Sequence, residues 1–153
     1  MSLHLATDEE LEEFFSAWRT GRLPVSRFTH VGHVAVGAYL AFGNSLADTF
    51  AAIRDGILAY NAAVGTPNTD TGGYHETMTR FWVILLHQFV ASGGFACRLD
   101  AVRAAAERFG GDVHLYRRHY SFDLFGDARA RHEWVAPDLE PLSWSDIFDI
   151  KQK

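Results

Sequence analysis

Two histidines lie three residues apart near the start of a predicted helix. His30 and His33 occur in the run F-T-H-V-G-H at residues 28–33. Residues at positions i and i+3 of a helix share a face, so two imidazoles at this spacing can contact the same ligand. The pair therefore indicates a polar site on a helix that is otherwise apolar.

A second polar group follows residues 65–73, which form the most loop-like stretch of the chain. Tyr74, His75 and Glu76 are predicted in the first turn of the next helix, where unpaired backbone N–H groups and the helix dipole favour an anion or a carboxylate. His75 and Glu76 also begin the zincin motif H-E-x-x-H, but Thr79 stands where the second histidine belongs. The metalloprotease interpretation therefore fails on its spacing.

The two polar groups would meet if their helices packed side by side. His30, His33 and His75 would then supply three metal ligands, and three protein ligands with one open position are typical of a catalytic zinc site or a related divalent site. Glu76 or Tyr74 would act as the acid/base group. Because neutral imidazoles suit borderline ions, zinc or nickel is the expected metal, and the scarcity of nearby carboxylates disfavours calcium.

Three further polar residues are candidates for the wall of such a pocket, namely Tyr60, Asn61 and Thr79. A buried amide needs hydrogen-bond partners and often finds them in a ligand or a histidine. Three interpretations stay open, a metal site, a metal-free polar pocket and a purely structural network, because histidines near helix starts also serve as caps. Two functions stay open with them: a metal-dependent enzyme acting on a small polar substrate, and a ligand-binding or regulatory module that uses the pocket without metal.

The elements that must position these residues are helical. A capping box at Thr7 precedes the first predicted helix, which ends near Gly21. No segment shows the alternation of apolar and polar residues, bounded by hairpin turns, that is typical of β-strands. Further helices are predicted over residues 26–42, 46–64, 74–91, 99–109, 112–120 and 127–135. We therefore predict an all-α fold, a compact single-domain bundle of five to seven helices with the helix at 74–91 in its centre. A tail at 136–153 contains two prolines and is expected to wrap the bundle in extended form.

The predicted core comprises hydrophobic residues of two of these helices: Phe50, Ile53, Ile57, Phe81, Val83, Ile84, Leu85 and Leu86. The charged stretch at 129–133 is predicted to be a solvated face.

Composition narrows the class of protein. The chain has 153 residues, of which 48% are hydrophobic and 22% charged, as in one globular domain. Its net charge of −5 disfavours binding to nucleic acid, and its longest apolar run, residues 81–86, is far too short to cross a membrane. The single cysteine fits a reducing cytoplasm. We expect a cytoplasmic protein. The partners that remain open are a small-molecule ligand and, in a homo-oligomer, a second copy of the chain.

The motifs F-x-H-x-x-H at 28–33 and Y-H-E-T-x-T at 74–79, with W-V-x-P-D-L-x-P-L at 134–142, resemble a group of small uncharacterised bacterial helical proteins. The resemblance covers most of the chain after residue 24, and Y-H-E-T-x-T is its most specific part. It implies a free-standing helical domain and supplies no reaction. The motif positions that it marks are His30, His33, His75, Glu76, Thr77 and Thr79.

Overall fold

The structure is a computed structural model that describes residues 3–142. All regular secondary structure in this part of the chain is helical, which confirms the predicted all-α fold class. Its α-helices are α1 (Asp8–Arg19), α2 (His30–Ala41), α3 (Leu46–Val64), α4 (Glu76–Ser92), α5 (Arg98–Phe109) and α6 (Ala128–His132). Two 3-10 turns, Val25–Arg27 and Leu115–Arg118, complete the helical elements of residues 3–142. Of the predicted tail, residues 143–153 lie outside the described residues.

Local capping signals explain where several helices begin and end. The Thr7 side chain accepts the backbone N–H of Glu10 at 3.1 Å, as the capping box predicts. Gly65 ends α3 with a φ of +77°, a backbone conformation that glycine adopts without strain.

The starts of α2 and α4 differ from the prediction. Helix α2 begins at His30, four residues after the predicted start at Ser26, because a 3-10 turn occupies the intervening chain after Pro24. Helix α4 begins at Glu76, with His75 as its N-cap and Tyr74 before the helix. The prediction that all three residues share the first turn was therefore wrong for Tyr74 and His75.

Helix α4 lies at the centre of the bundle, as predicted, since it contacts α2, α3, α5 and α6. Of the predicted core residues, Ile53, Phe81, Val83, Ile84 and Leu86 are buried, whereas Phe50, Ile57 and Leu85 are partly buried. Ile57 is incompletely covered because it borders a cavity.

Helices α2 and α4 pack side by side at close range. A Cβ atom at Gly37 would lie 2.6 Å from Cδ1 of Leu86, so only glycine allows this approach without displacing the leucine. One end of the contact joins His30 to Trp82, whose ring centroids lie 4.9 Å apart. The two helices therefore run in the same direction, and the histidines of α2 face the first half of α4.

The segment after α6 is not helical through residue 142 and is fastened to the bundle by hydrogen bonds. The Thr77 hydroxyl donates to the Glu133 carbonyl at 2.7 Å and accepts the Val135 N–H at 3.0 Å. The His119 ring donates from Nδ1 to the carbonyl of Glu140 at 2.6 Å. The motif position at Thr77 thus joins the last described segment to the central helix. Within residues 3–142, no helix combines the length and the apolar character that crossing a membrane requires.

Candidate functional site

A cavity of about 300 Å³ lies between α2, α3 and α4. Its wall is mainly apolar and includes Ile53, Ile57 and Leu86. Val113 and Phe125, two large hydrophobic side chains that are exposed to solvent, also border it. The polar residues of the wall are Thr29, His30, His33, Tyr74, His75 and Thr79. The volume corresponds to about ten water molecules of liquid volume, which is enough for a small organic molecule.

His33 presents an available ring nitrogen at this wall. Its Nδ1–H donates to the Thr29 carbonyl at 2.8 Å, and the ring stacks on Phe28 with centroids 3.7 Å apart. Although the residue has substantial accessible surface, surrounding protein desolvates the ring and lowers its pKa; the Thr29 bond opposes this shift and the nearby His30 adds to it. The imidazole is therefore neutral at pH 7. Its Nε2 lone pair has no hydrogen-bond partner within residues 3–142.

His30 joins α2 to the end of α5. Its Nε2–H donates to the Phe109 carbonyl at 2.9 Å, which pairs one of the carbonyls at the C-terminal end of that helix. The ring also contacts the edge of Trp82. His30 thus has a structural bond at one nitrogen and borders the cavity as well.

His75 acts as a helix cap. Its Nδ1 accepts the backbone N–H of Met78 at 3.1 Å, and its Nε2–H donates to the Leu124 carbonyl at 2.8 Å. Only 6% of the residue is exposed, and burial is the main reason that its pKa is lowered. Both ring nitrogens are therefore occupied by the protein, and neither has a lone pair left for a metal ion.

The predicted metal set is not formed. In the part of the chain that the structure describes, no group of three or more His, Cys, Asp or Glu side chains is arranged to hold a metal ion. His30, His33 and His75 all border the cavity, but the bonds of His75 withdraw it from such a set. The described donor atoms thus do not fit a three-histidine zinc or nickel centre.

Glu76 and Tyr74, the predicted acid/base groups, pair with each other. The Tyr74 hydroxyl donates to Oε1 of Glu76 at 2.8 Å, and Oε2 of the same carboxylate accepts Nε–H of Arg80 at 2.7 Å. Burial, and then the hydrogen bond to Glu76, raise the pKa of Tyr74 well above its ordinary value, so the phenol stays protonated. Tyr74 borders the cavity, whereas Glu76 does not.

Of the three predicted wall residues, only Thr79 borders the cavity. The Tyr60 hydroxyl donates to the Leu23 carbonyl at 2.6 Å. Asn61 donates from Nδ2 to Oδ1 of Asn68 at 3.0 Å, and the same oxygen accepts the backbone N–H of Tyr74 at 2.9 Å. Asn61 therefore positions the loop before α4 and does not line the pocket.

Sequence reasoning missed Arg131, which it assigned to a solvated face. The residue is only 6% exposed, and its guanidinium donates to the carbonyls of Gly73 at 3.2 Å and Phe125 at 3.4 Å. No carboxylate within residues 3–142 forms an ion pair with it. Because Gly73 and Phe125 both border the cavity, Arg131 holds two parts of its wall together. Its neighbours in sequence are charged, so nothing in the local pattern signals burial.

No protein-family model matches this sequence, and neither a curated protein nor a solved structure matches it. The resemblance carried by the two histidine motifs therefore stays a prediction.

Proposed function

We propose that this protein binds a small, mainly apolar molecule in the cavity between α2, α3 and α4. The observation that carries the proposal is the cavity itself, which combines a volume of about 300 Å³ with an apolar wall and a few polar side chains. Small-molecule sites are concave and mainly apolar, with a few polar groups that fix the orientation of the ligand, and this cavity has that composition. The exposed apolar surface of Val113 and Phe125 extends the apolar wall toward solvent.

Filling the cavity provides the direct test. In Ile57→Phe the larger side chain occupies space at the wall, and the matched control Leu58→Phe changes the neighbouring, equally half-buried residue of α3 that does not border the cavity. Ligand-detected NMR with one-ring compounds such as toluene, phenol and indole measures binding. We expect binding to the wild type and to Leu58→Phe, and its loss in Ile57→Phe. The proposal is wrong if no compound binds the wild type, or if both variants bind equally well.

Base catalysis on the bound molecule is a second candidate function, and one feature of His33 favours it. The Thr29 carbonyl fixes Nδ1 in its protonated form, which leaves Nε2 of this cavity-wall residue as a neutral proton acceptor. Product analysis by NMR after long incubation with each bound compound tests this function. Conversion by the wild type that is lost in His33→Gln, with binding retained, would favour an enzyme.

A further inference from the structure

The polar side chains of the cavity wall use most of their hydrogen-bond donors within the protein. His33 and His30 each donate one ring N–H to a backbone carbonyl, and Tyr74 donates its hydroxyl to a buried carboxylate. His75 uses both of its ring nitrogens in the same way. The other side-chain donors on the wall are the hydroxyls of Thr29 and Thr79 and the indole N–H of Trp82, and a hydroxyl accepts as readily as it donates.

The histidines of the wall leave acceptor atoms available. Nε2 of His33 has no partner within residues 3–142, and this nitrogen carries a lone pair because the ring is neutral. Nδ1 of His30 likewise has no partner within residues 3–142, since the ring bonds the Phe109 carbonyl through Nε2. A bound molecule gains hydrogen bonds at these two nitrogens by bringing donors of its own.

The wall has no formal counter-charge for an ionised ligand. Its residues include no aspartate, glutamate, lysine or arginine. A carboxylate or a phosphate would lose its hydration there without meeting a cation, and an ammonium group would lose its hydration without meeting a carboxylate. The electrostatics therefore favour an uncharged molecule.

Aromatic side chains on the wall indicate the shape of that molecule. Phe28 lies stacked on the His33 ring, Trp82 lies beside His30, and Phe125 forms another part of the wall. Flat rings pack well against such surfaces in offset or edge-to-face arrangements. A ring next to Phe28 would also place a substituent close to the His33 imidazole.

We infer that the cavity selects an uncharged ring compound that carries a hydroxyl or N–H donor, and that this donor binds Nε2 of His33. The inference rests on the proposed function, because it specifies the ligand of the same cavity. Nε2 of His33 is thus expected to distinguish ring compounds of equal size by whether they can donate a hydrogen bond.

The test compares toluene, phenol and benzoate, which share one ring and differ in the donor and the charge. Dissociation constants are measured by NMR titration at pH 7.5 for the wild type, for His33→Phe, and for the control His87→Phe, which alters a histidine of α4 outside the cavity. His33→Phe keeps a ring on Phe28 and removes the acceptor, and the Thr29 carbonyl keeps its bond from the His33 backbone N–H.

We expect the preference for phenol over toluene to fall about 2- to 12-fold in His33→Phe, the range of one net hydrogen bond. The control should keep the wild-type preference, and benzoate should bind the wild type more weakly than phenol. Binding of toluene shows that His33→Phe retains the cavity. If His33→Phe does not fold, His33→Leu is used in its place.

Two failures are distinguishable. If no compound binds the wild type, the proposed function is wrong and the inference falls with it. If toluene binds but the phenol preference is the same in the wild type and in His33→Phe, or if benzoate binds most tightly, the proposed function stands and the inference is overturned.

Discussion

Removing the His75 side chain tests whether this residue is a structural cap. In the folded protein its two ring nitrogens join the first turn of α4 to the Leu124 carbonyl, and the side chain is almost fully buried. His75→Ala abolishes both bonds at once. The Met78 N–H then loses its capping partner, and the Leu124 carbonyl is left without the donor that pairs it.

The expected loss of stability follows from these two bonds. Loss of an N-cap side chain typically costs about 1 kcal/mol. A buried carbonyl left unpaired costs about 1 to 3 kcal/mol. We therefore expect His75→Ala to lower the free energy of unfolding by about 2 to 4 kcal/mol, and His75→Asn, which can still accept the Met78 N–H but is too short to reach Leu124, to lose about 1 to 3 kcal/mol.

Urea unfolding followed by circular dichroism at pH 7.5, with a chelator present and then with added zinc, measures the effect. If His75 is a structural cap, His75→Ala should be destabilised by the same amount with chelator as with zinc. A change below about 0.5 kcal/mol in His75→Ala would refute the capping argument. Stabilisation of the wild type by zinc that disappears in His75→Ala would instead make His75 a metal ligand.

The lowered pKa of His75 should also make the stability of the protein depend on pH. Burial lowers the pKa of His75 in the folded protein, so the unfolded chain binds more protons once the pH approaches the ordinary histidine pKa of about 6.5. The stability associated with the neutral ring is complete above about pH 7.5 and is lost as the pH falls from there toward the lowered pKa of the folded state. Unfolding free energies between pH 8 and pH 5 should decrease more steeply for the wild type than for His75→Ala. Parallel profiles would contradict this assignment.

Two other substitutions test how the surroundings of the cavity are held. Thr77→Val should lower the free energy of unfolding, measured in urea, by about 1 to 3 kcal/mol for each of the two backbone groups that lose the Thr77 hydroxyl as a partner. Thr77→Ser keeps the hydroxyl and should therefore retain most of this stability. Gly73→Ala should cost about 1 to 3 kcal/mol, because the residue has a φ of +79° and its Cβ would lie 2.5 Å from Oδ1 of Asn68. Gly72→Ala is the matched control, since its Cβ meets no atom closer than 3.7 Å; equal melting temperatures for the two alanine variants would contradict the strain argument.

The sequence by itself determined the helical architecture, because the signals for it are local. The side chain of Thr7 caps a backbone group three residues away, and Gly65 ends α3 through its own backbone conformation. Apolar residues at helical spacing required α4 to be covered on most sides, and the bundle places it at the centre. The spacing of His30 and His33 likewise placed both on the cavity wall, since residues three apart share a helix face.

Only the tertiary structure decided what His30 and His75 can do. His75 uses its lone-pair nitrogen in a local cap of α4, and it uses its N–H in a bond that depends on the fold, to a carbonyl 49 residues away. Arg131 is buried because it donates to carbonyls on the segments before α4 and α6, although its neighbours in sequence indicate a solvated face. Spacing along a helix determines which side chains share a face. Backbone carbonyls determine which ring nitrogen keeps an unpaired lone pair. For His30 and His75 these carbonyls lie 79 and 49 residues away. The Thr29 carbonyl, which leaves His33 with a lone pair at Nε2, lies only four residues away, on the same helix turn.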